Sequence, residues 1–96
     1  MGEFRKLVLE VVGKCDHDAM RALVWRAAGV DAREVRIEFQ TAADVDGRAL
    51  RLLAAAIRRL GSGRVIRVHG LLARDAAVLH RLGVPVDVVT GIRPRA

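Results

Sequence analysis

The apolar residues of this chain switch repeatedly between a strand pattern and a helix pattern, and nearly every switch falls at glycine. That alternation limits the chain to folds in which strands and helices take turns, because a segment with one periodicity cannot bury its apolar side in the other conformation. Residues 4–12 contain the run Leu7-Val8-Leu9-Glu10-Val11-Val12, aliphatic and closed by Gly13, which predicts a buried strand. Asp16 or Asp18 then supplies the cap of a helix whose positions Met20, Leu23, Val24 and Ala27 share one face and which ends at Gly29. Val35, Ile37 and Phe39 alternate with Arg36 and Glu38, predicting a strand with one face better buried than the other. A second helix is expected to open near Asp44-Val45-Asp46-Gly47 and run to Leu60, with Leu50, Leu53, Ala54 and Ile57 inward and Gly61-Ser62-Gly63 as its stop.

Residues 64–69 form the next predicted strand, closed by Gly70. Residues 73–82 read as a third helix with Ala76, Leu79 and His80 turned toward a core, and Gly83 ends it. Residues 85–89 are expected to be the last strand, with Pro85 tolerated at its start. The tail, residues 91–96, has turn chemistry and charge, so a loose end or a short extension is expected. Strands and helices in this order imply right-handed crossovers and a largely parallel sheet covered by helices on at least one face. At 96 residues the chain is expected to be one domain.

Composition narrows the function classes. No apolar run approaches the roughly 20 residues of a membrane-spanning helix, and the opening Met1-Gly2-Glu3-Phe4-Arg5-Lys6 leads into no signal-peptide core, so a cytoplasmic location is expected. Cys15 is the single cysteine, which excludes an internal disulfide and a four-cysteine zinc site. The net charge of +6 raises the possibility of a nucleic-acid partner, but the arginines are dispersed through every element. Stacking platforms for bases are also scarce, with only Phe4, Trp25 and Phe39 on offer, so no specific nucleic acid is expected.

Within that frame, residues 35–89 resemble a STAS domain, the module named for sulfate transporters and anti-sigma factor antagonists. The resemblance is carried by Val35-Arg36-Ile37-Glu38-Phe39, then Asp44-Val45-Asp46-Gly47 opening a helix, then Arg64-Val65-Ile66-Arg67-Val68-His69-Gly70, then Ala77-Val78-Leu79-His80-Arg81-Leu82-Gly83-Val84. The strand and helix of residues 7–28 also fall where the family has them. The resemblance implies an α/β fold with a mostly parallel sheet of four or five strands and three or more helices packed mainly on one face. It further implies a bacterial, non-catalytic binding module that meets an anti-sigma factor or kinase-like protein, or else serves as an accessory subunit of a membrane transporter. Docking would run through Thr41, Asp44, Val45, Asp46, Gly47, Arg48 and Arg51, with no cofactor, metal or catalytic residue.

Two departures from the family pattern bear on regulation. Relatives that act as phosphorylation switches carry a hydroxyl residue directly after the turn aspartate, where this chain has Val45 followed by Asp46. Asp46 either supplies part of a phosphate's charge permanently at a helix N-terminus or, with Asp44, simply caps the helix. The N-terminus offers one strand where many relatives begin with two, which leaves an edge open to pairing; self-association through that edge or a helix face is a further expectation. Thr41 is either another phosphoacceptor or a loop hydroxyl bonded to its own backbone. Trp25 falls out of step with the apolar face of its helix, so partial exposure is expected.

Enzyme chemistry has one candidate, the adjacent Cys15, Asp16 and His17, where a thiolate beside imidazole would make a nucleophile. Neighbours at a helix start point in different directions, which counts against it. His17, His69 and His80 lack the spacing of a metal site, and no glycine-rich phosphate loop is present.

Overall fold

The computed structural model describes residues 5–94. Phe4, at the start of the first expected strand, and Arg95 and Ala96 of the tail lie outside them. In chain order the elements are β1 (Lys6–Val11), β2 (Lys14–Cys15), α1 (His17–Gly29), β3 (Glu34–Phe39), β4 (Asp44–Val45), α2 (Gly47–Leu60), β5 (Val65–His69), α3 (Ala73–Arg81), a 3-10 turn (Val86–Val88) and β6 (Val89–Thr90). The fold is α/β: a four-stranded sheet of order β1-β3-β5-β6, parallel throughout, with three helices, and a separate parallel pair formed by β2 and β4.

The register explains why the strands alternate as they do. Leu9, Ile37, Val68 and Val89 align across the sheet, flanked by the rows Leu7, Val35, Ile66 and Val11, Phe39. These rows face the helices, where Leu53 and Ile57 of α2 and Ala27 of α1 close over Val35 and Ile66. Met20, Leu53 and Leu79, one from each helix, are fully buried in the same hydrophobic cluster. Burial of a leucine-sized side chain contributes about 1.5–3 kcal/mol, so the three helices are held by their apolar stripes rather than by propensity.

Among the described residues no helix packs on the opposite face. Its rows read Lys6, Glu34, Val65, then Val8, Arg36, Arg67, then Glu10, Glu38, His69, Thr90. All-parallel sheets are usually covered on both faces and therefore read as continuous apolar runs. Here charged side chains take alternate positions instead, and Arg36 Nε lies 2.7 Å from Glu38 Oε2 along the same strand, an ionic contact without hydrogen-bond geometry.

Helix ends follow the local chemistry. Asp16, not Asp18, caps α1 by accepting from the Ala19 N–H at 2.9 Å, and Asp46 caps α2 by accepting from Ala49 N–H at 2.8 Å. Trp25 is 79 % exposed, and His80 is half-buried with its Nε2 buried and without a hydrogen-bond partner.

One sequence expectation needs correcting, and another resolves between its two outcomes. Residues 85–88 are not strand: Val88 N–H donates to Pro85 O at 3.1 Å and closes a 3-10 turn, leaving only Val89 and Thr90 to pair with β5. Proline fixes φ and lacks the N–H that a ladder needs, so the strand starts after it rather than on it. The tail, in its described part, is not loose. Arg93 N–H donates to Leu71 O at 2.8 Å, Ala73 N–H donates to Arg93 O at 2.9 Å, and Leu72 and Arg93 bridge in parallel, the short extension among the two expected outcomes.

Candidate docking surface

The expected docking residues lie beyond the C-terminal end of β3, between it and the first turns of α2. After β1, Gly13 turns the chain at φ +77° into β2, and after β3 residues 40–43 turn it into β4. The pairing of β2 with β4 sets Lys14 beside Asp44 and Cys15 beside Val45, fixed by Asp44 N–H to Gly13 O at 2.9 Å and Asp46 N–H to Cys15 O at 3.2 Å. The two aspartate caps follow directly in both chains of that pair, so the N-termini of α1 and α2 are held next to one another.

Strand alternation then decides which side chains face outward. Thr41, Asp44, Asp46, Gly47, Arg48 and Arg51 are exposed. Val45 is not: it is 8 % exposed and belongs to the core. The expectation that Val45 takes part in docking is therefore corrected, because pairing with Cys15 turns its side chain inward while Asp44 turns out. Arg48 and Arg51, with His17 and Leu52, border a shallow depression of about 270 Å³ between the two helix starts.

Arg93 holds this end together. Its Nε donates to Gly70 O at 2.6 Å, Nη2 to Gln40 O at 3.2 Å and Nη1 to Thr41 O at 3.3 Å. One planar guanidinium thus ties the C-terminal segment to the loops after β5 and after β3, a geometry that a fork of fixed donors suits. Gly70 makes the approach possible. It sits at φ +92°, and a Cβ there would lie 2.3 Å from Phe39 O. Gly91, directly after the last paired residue Thr90, also has positive φ, +58°, and a Cβ on it would collide with the His69 imidazole.

Asp75, in the first turn of α3, is the one buried charged residue among those described. Burial pushes its carboxyl up; Arg74 opposes this, Asp44 adds to it, and Arg93 opposes it. Neither Asp75 nor Arg93 stood out in the sequence. A charged residue between Ile92 and Pro94 was the only local signal for Arg93, and its three acceptors come from loops far away in the chain.

The Cys15-Asp16-His17 group does not assemble into a nucleophilic site. Cys15 is 2 % exposed, and burial pushes its thiol up, reinforced by the negative charges of Asp16 and Asp46. His17 Nδ1 lies 3.9 Å from Asp18 Oδ1. A thiolate needs the reverse conditions, exposure and nearby positive charge. Among the described residues no three His, Cys, Asp or Glu side chains gather as a metal site, and no helix is long and apolar enough to cross a membrane.

The class that fold and surface define is an α/β domain with a one-sided parallel sheet and an ordered, charged loop beyond its strand ends. No family model, curated protein or solved structure compared with the chain matches it.

Proposed function

We propose that this chain is a protein-binding regulatory module of the STAS type, docking through the exposed residues of the 41–51 segment. The observation that carries the reading is the ordered exposure of Thr41, Asp44, Asp46, Gly47, Arg48 and Arg51 on a loop held from below by Arg93 and by the β2–β4 pair. A surface fixed before binding avoids the ordering cost that a flexible loop would incur on association. The partner is a protein such as an anti-sigma factor kinase or a transporter subunit. Acid and base side by side, with Asp44 and Asp46 before Arg48 and Arg51, favour a partner surface of matching mixed charge, where complementarity sets specificity and on-rate.

Docking in this reading is constitutive. The position where switching relatives carry a hydroxyl is the buried Val45, and one oxygen of Asp46 is committed to the Ala49 N–H. Thr41 is the exposed hydroxyl residue of the loop.

The test is a pull-down from the native host with the unaltered chain and with Asp44→Lys and Arg48→Glu/Arg51→Glu variants. These positions are exposed and none is a helix cap, so thermal unfolding should be nearly unchanged. Loss of one defined protein partner in the variants supports the reading. Retention of every partner by all variants, or recovery of nucleic acid alone with affinity falling steeply as salt rises, would overturn it.

A further inference from the structure

At the opposite end of the strands from the docking loop, the chain has a groove of about 540 Å³ between the end of α2, the start of β5 and the turn after α3. We propose that it binds a small dianion with an apolar body, in chemical class a phosphate monoester of an aromatic or aliphatic group. The proposal is independent of the docking surface.

The groove owes its existence to the short last strand. The β5–β6 register begins at Val68 and Val89, and the Val88 N–H is engaged by Pro85 O, so residues 65–67, paired with β3 on one edge, have no described strand along the other. The walls are apolar where Ile57, Ile66 and Val88 contribute, and Arg58, Arg64 and Arg67 are the three arginines of the lining. Each arginine is anchored by one nitrogen to a main-chain carbonyl: Arg58 Nη1 to Leu82 O, Arg64 Nη1 to Ala27 O at 2.8 Å, and Arg67 Nη1 to Asp87 O at 3.1 Å. None of the three forms a salt bridge among the described residues. The remaining guanidinium donors are therefore positioned without being neutralised.

Gly83 helps to place one of them. Its φ is +97°, and a Cβ on it would stand 3.3 Å from Arg58 Nη1. Asp87 is the single acidic residue of the lining, against three arginines. That excess of positive charge fits a dianion better than a neutral ligand, and arginine forks suit the oxygens of a phosphate. A volume of this size falls within the range of small-molecule sites, in which apolar walls hold the body and a few polar groups fix the orientation.

The experiment uses the full chain and phenyl phosphate as probe, with phenol and inorganic phosphate as controls, followed by amide chemical shifts. The expected result is saturable shifts confined to residues 57–67 and 83–88, weaker binding of both controls, and at least about a tenfold loss of affinity in Arg67→Gln and in Arg58→Gln. Asp87→Asn, which removes the opposing carboxylate, should bind phenyl phosphate more tightly. Thermal unfolding of each variant separates lost binding from lost fold, and Asp87→Asn gives a gain that misfolding cannot mimic. Absence of shifts up to about 10 mM probe, shifts centred elsewhere, or equal binding of phenol would overturn the proposal.

Discussion

Arg93→Ala tests whether the C-terminal segment braces the docking loop or merely lies near it. The substitution removes three donors at once, from Gly70 O at 2.6 Å, Gln40 O at 3.2 Å and Thr41 O at 3.3 Å. A hydrogen bond from a charged donor contributes about 1.5–3 kcal/mol when well formed. Only the first is short; the second is longer and partly buried, and the third is long and exposed, so water can replace it at little cost. Taking about 1.5 kcal/mol for the first and a few tenths each for the others gives a loss of roughly 2 kcal/mol. For a domain of this size about 1 kcal/mol corresponds to 4–8 °C, so Tm should fall by roughly 8–16 °C. Urea and thermal unfolding followed by circular dichroism measure the loss. Hydrogen exchange should show it concentrated in the amides of residues 41–46 and 70–73. Arg93→Lys keeps the charge but presents a point donor instead of a fork, so it should recover half or less. A loss below about 0.5 kcal/mol in Arg93→Ala, the range of ordinary surface substitutions, would refute the bracing role, as would full recovery in Arg93→Lys.

Gly70→Ala should cost on the order of 3 kcal/mol or more, since its Cβ would lie 2.3 Å from Phe39 O and its φ of +92° is strained for alanine; unfolding in urea within 1 kcal/mol of the parent would contradict this. Asp75 holds its proton more tightly in the folded chain than in the unfolded one, so its contribution favours folding below the ordinary carboxylate range and is lost as pH rises through the raised folded pKa. Asp75→Asn should accordingly raise Tm at neutral pH, with the difference closing in acid; a lower Tm at neutral pH would mean that the carboxylate is favourably paired. Cys15, buried and with its thiol pushed up, should react with a thiol-specific reagent only as fast as the chain opens, so stabilising conditions should slow the reaction; a fast reaction insensitive to stability would show an accessible thiol.

The parts of the fold that the sequence made legible are those coded by near neighbours. Val35, Ile37 and Phe39 against Arg36 and Glu38 encoded a strand with one apolar face, and the β3 register puts those three residues toward the helices. Met20 and Ala27, or Leu50, Leu53 and Ile57, encoded helical stripes that are buried as expected. What was not legible depends on long-range geometry. The two-residue strands β2 and β4 are too short to have a period, and they exist because parallel neighbours β1 and β3 deliver them side by side. That pairing turned Val45 inward, against the expectation that the whole acidic turn projects. Arg93 was read as part of a charged tail because nothing next to it in sequence shows that its acceptors are carbonyls more than 20 residues away.

The last strand shapes both ends of the molecule. Had the ladder between β5 and β6 continued toward the strand starts in the same register, Ile66 would face Asp87, and a strand would occupy the place of the groove. Proline and the 3-10 turn it opens prevent this, so β5 keeps an unpaired edge at residues 65–67, with Arg67 reaching across to Asp87 O. In the other direction the same register runs on. Thr90 pairs with His69, a positive-φ glycine follows in each strand, Gly70 and Gly91, and Arg93 meets Leu72. An edge strand displaced toward the C-terminal end is what carries Arg93 far enough to reach Gln40 and Thr41. The groove therefore depends on Pro85, whereas the brace depends on the β5–β6 register running on past Thr90 to Arg93, which a strand over residues 85–88 would leave in place.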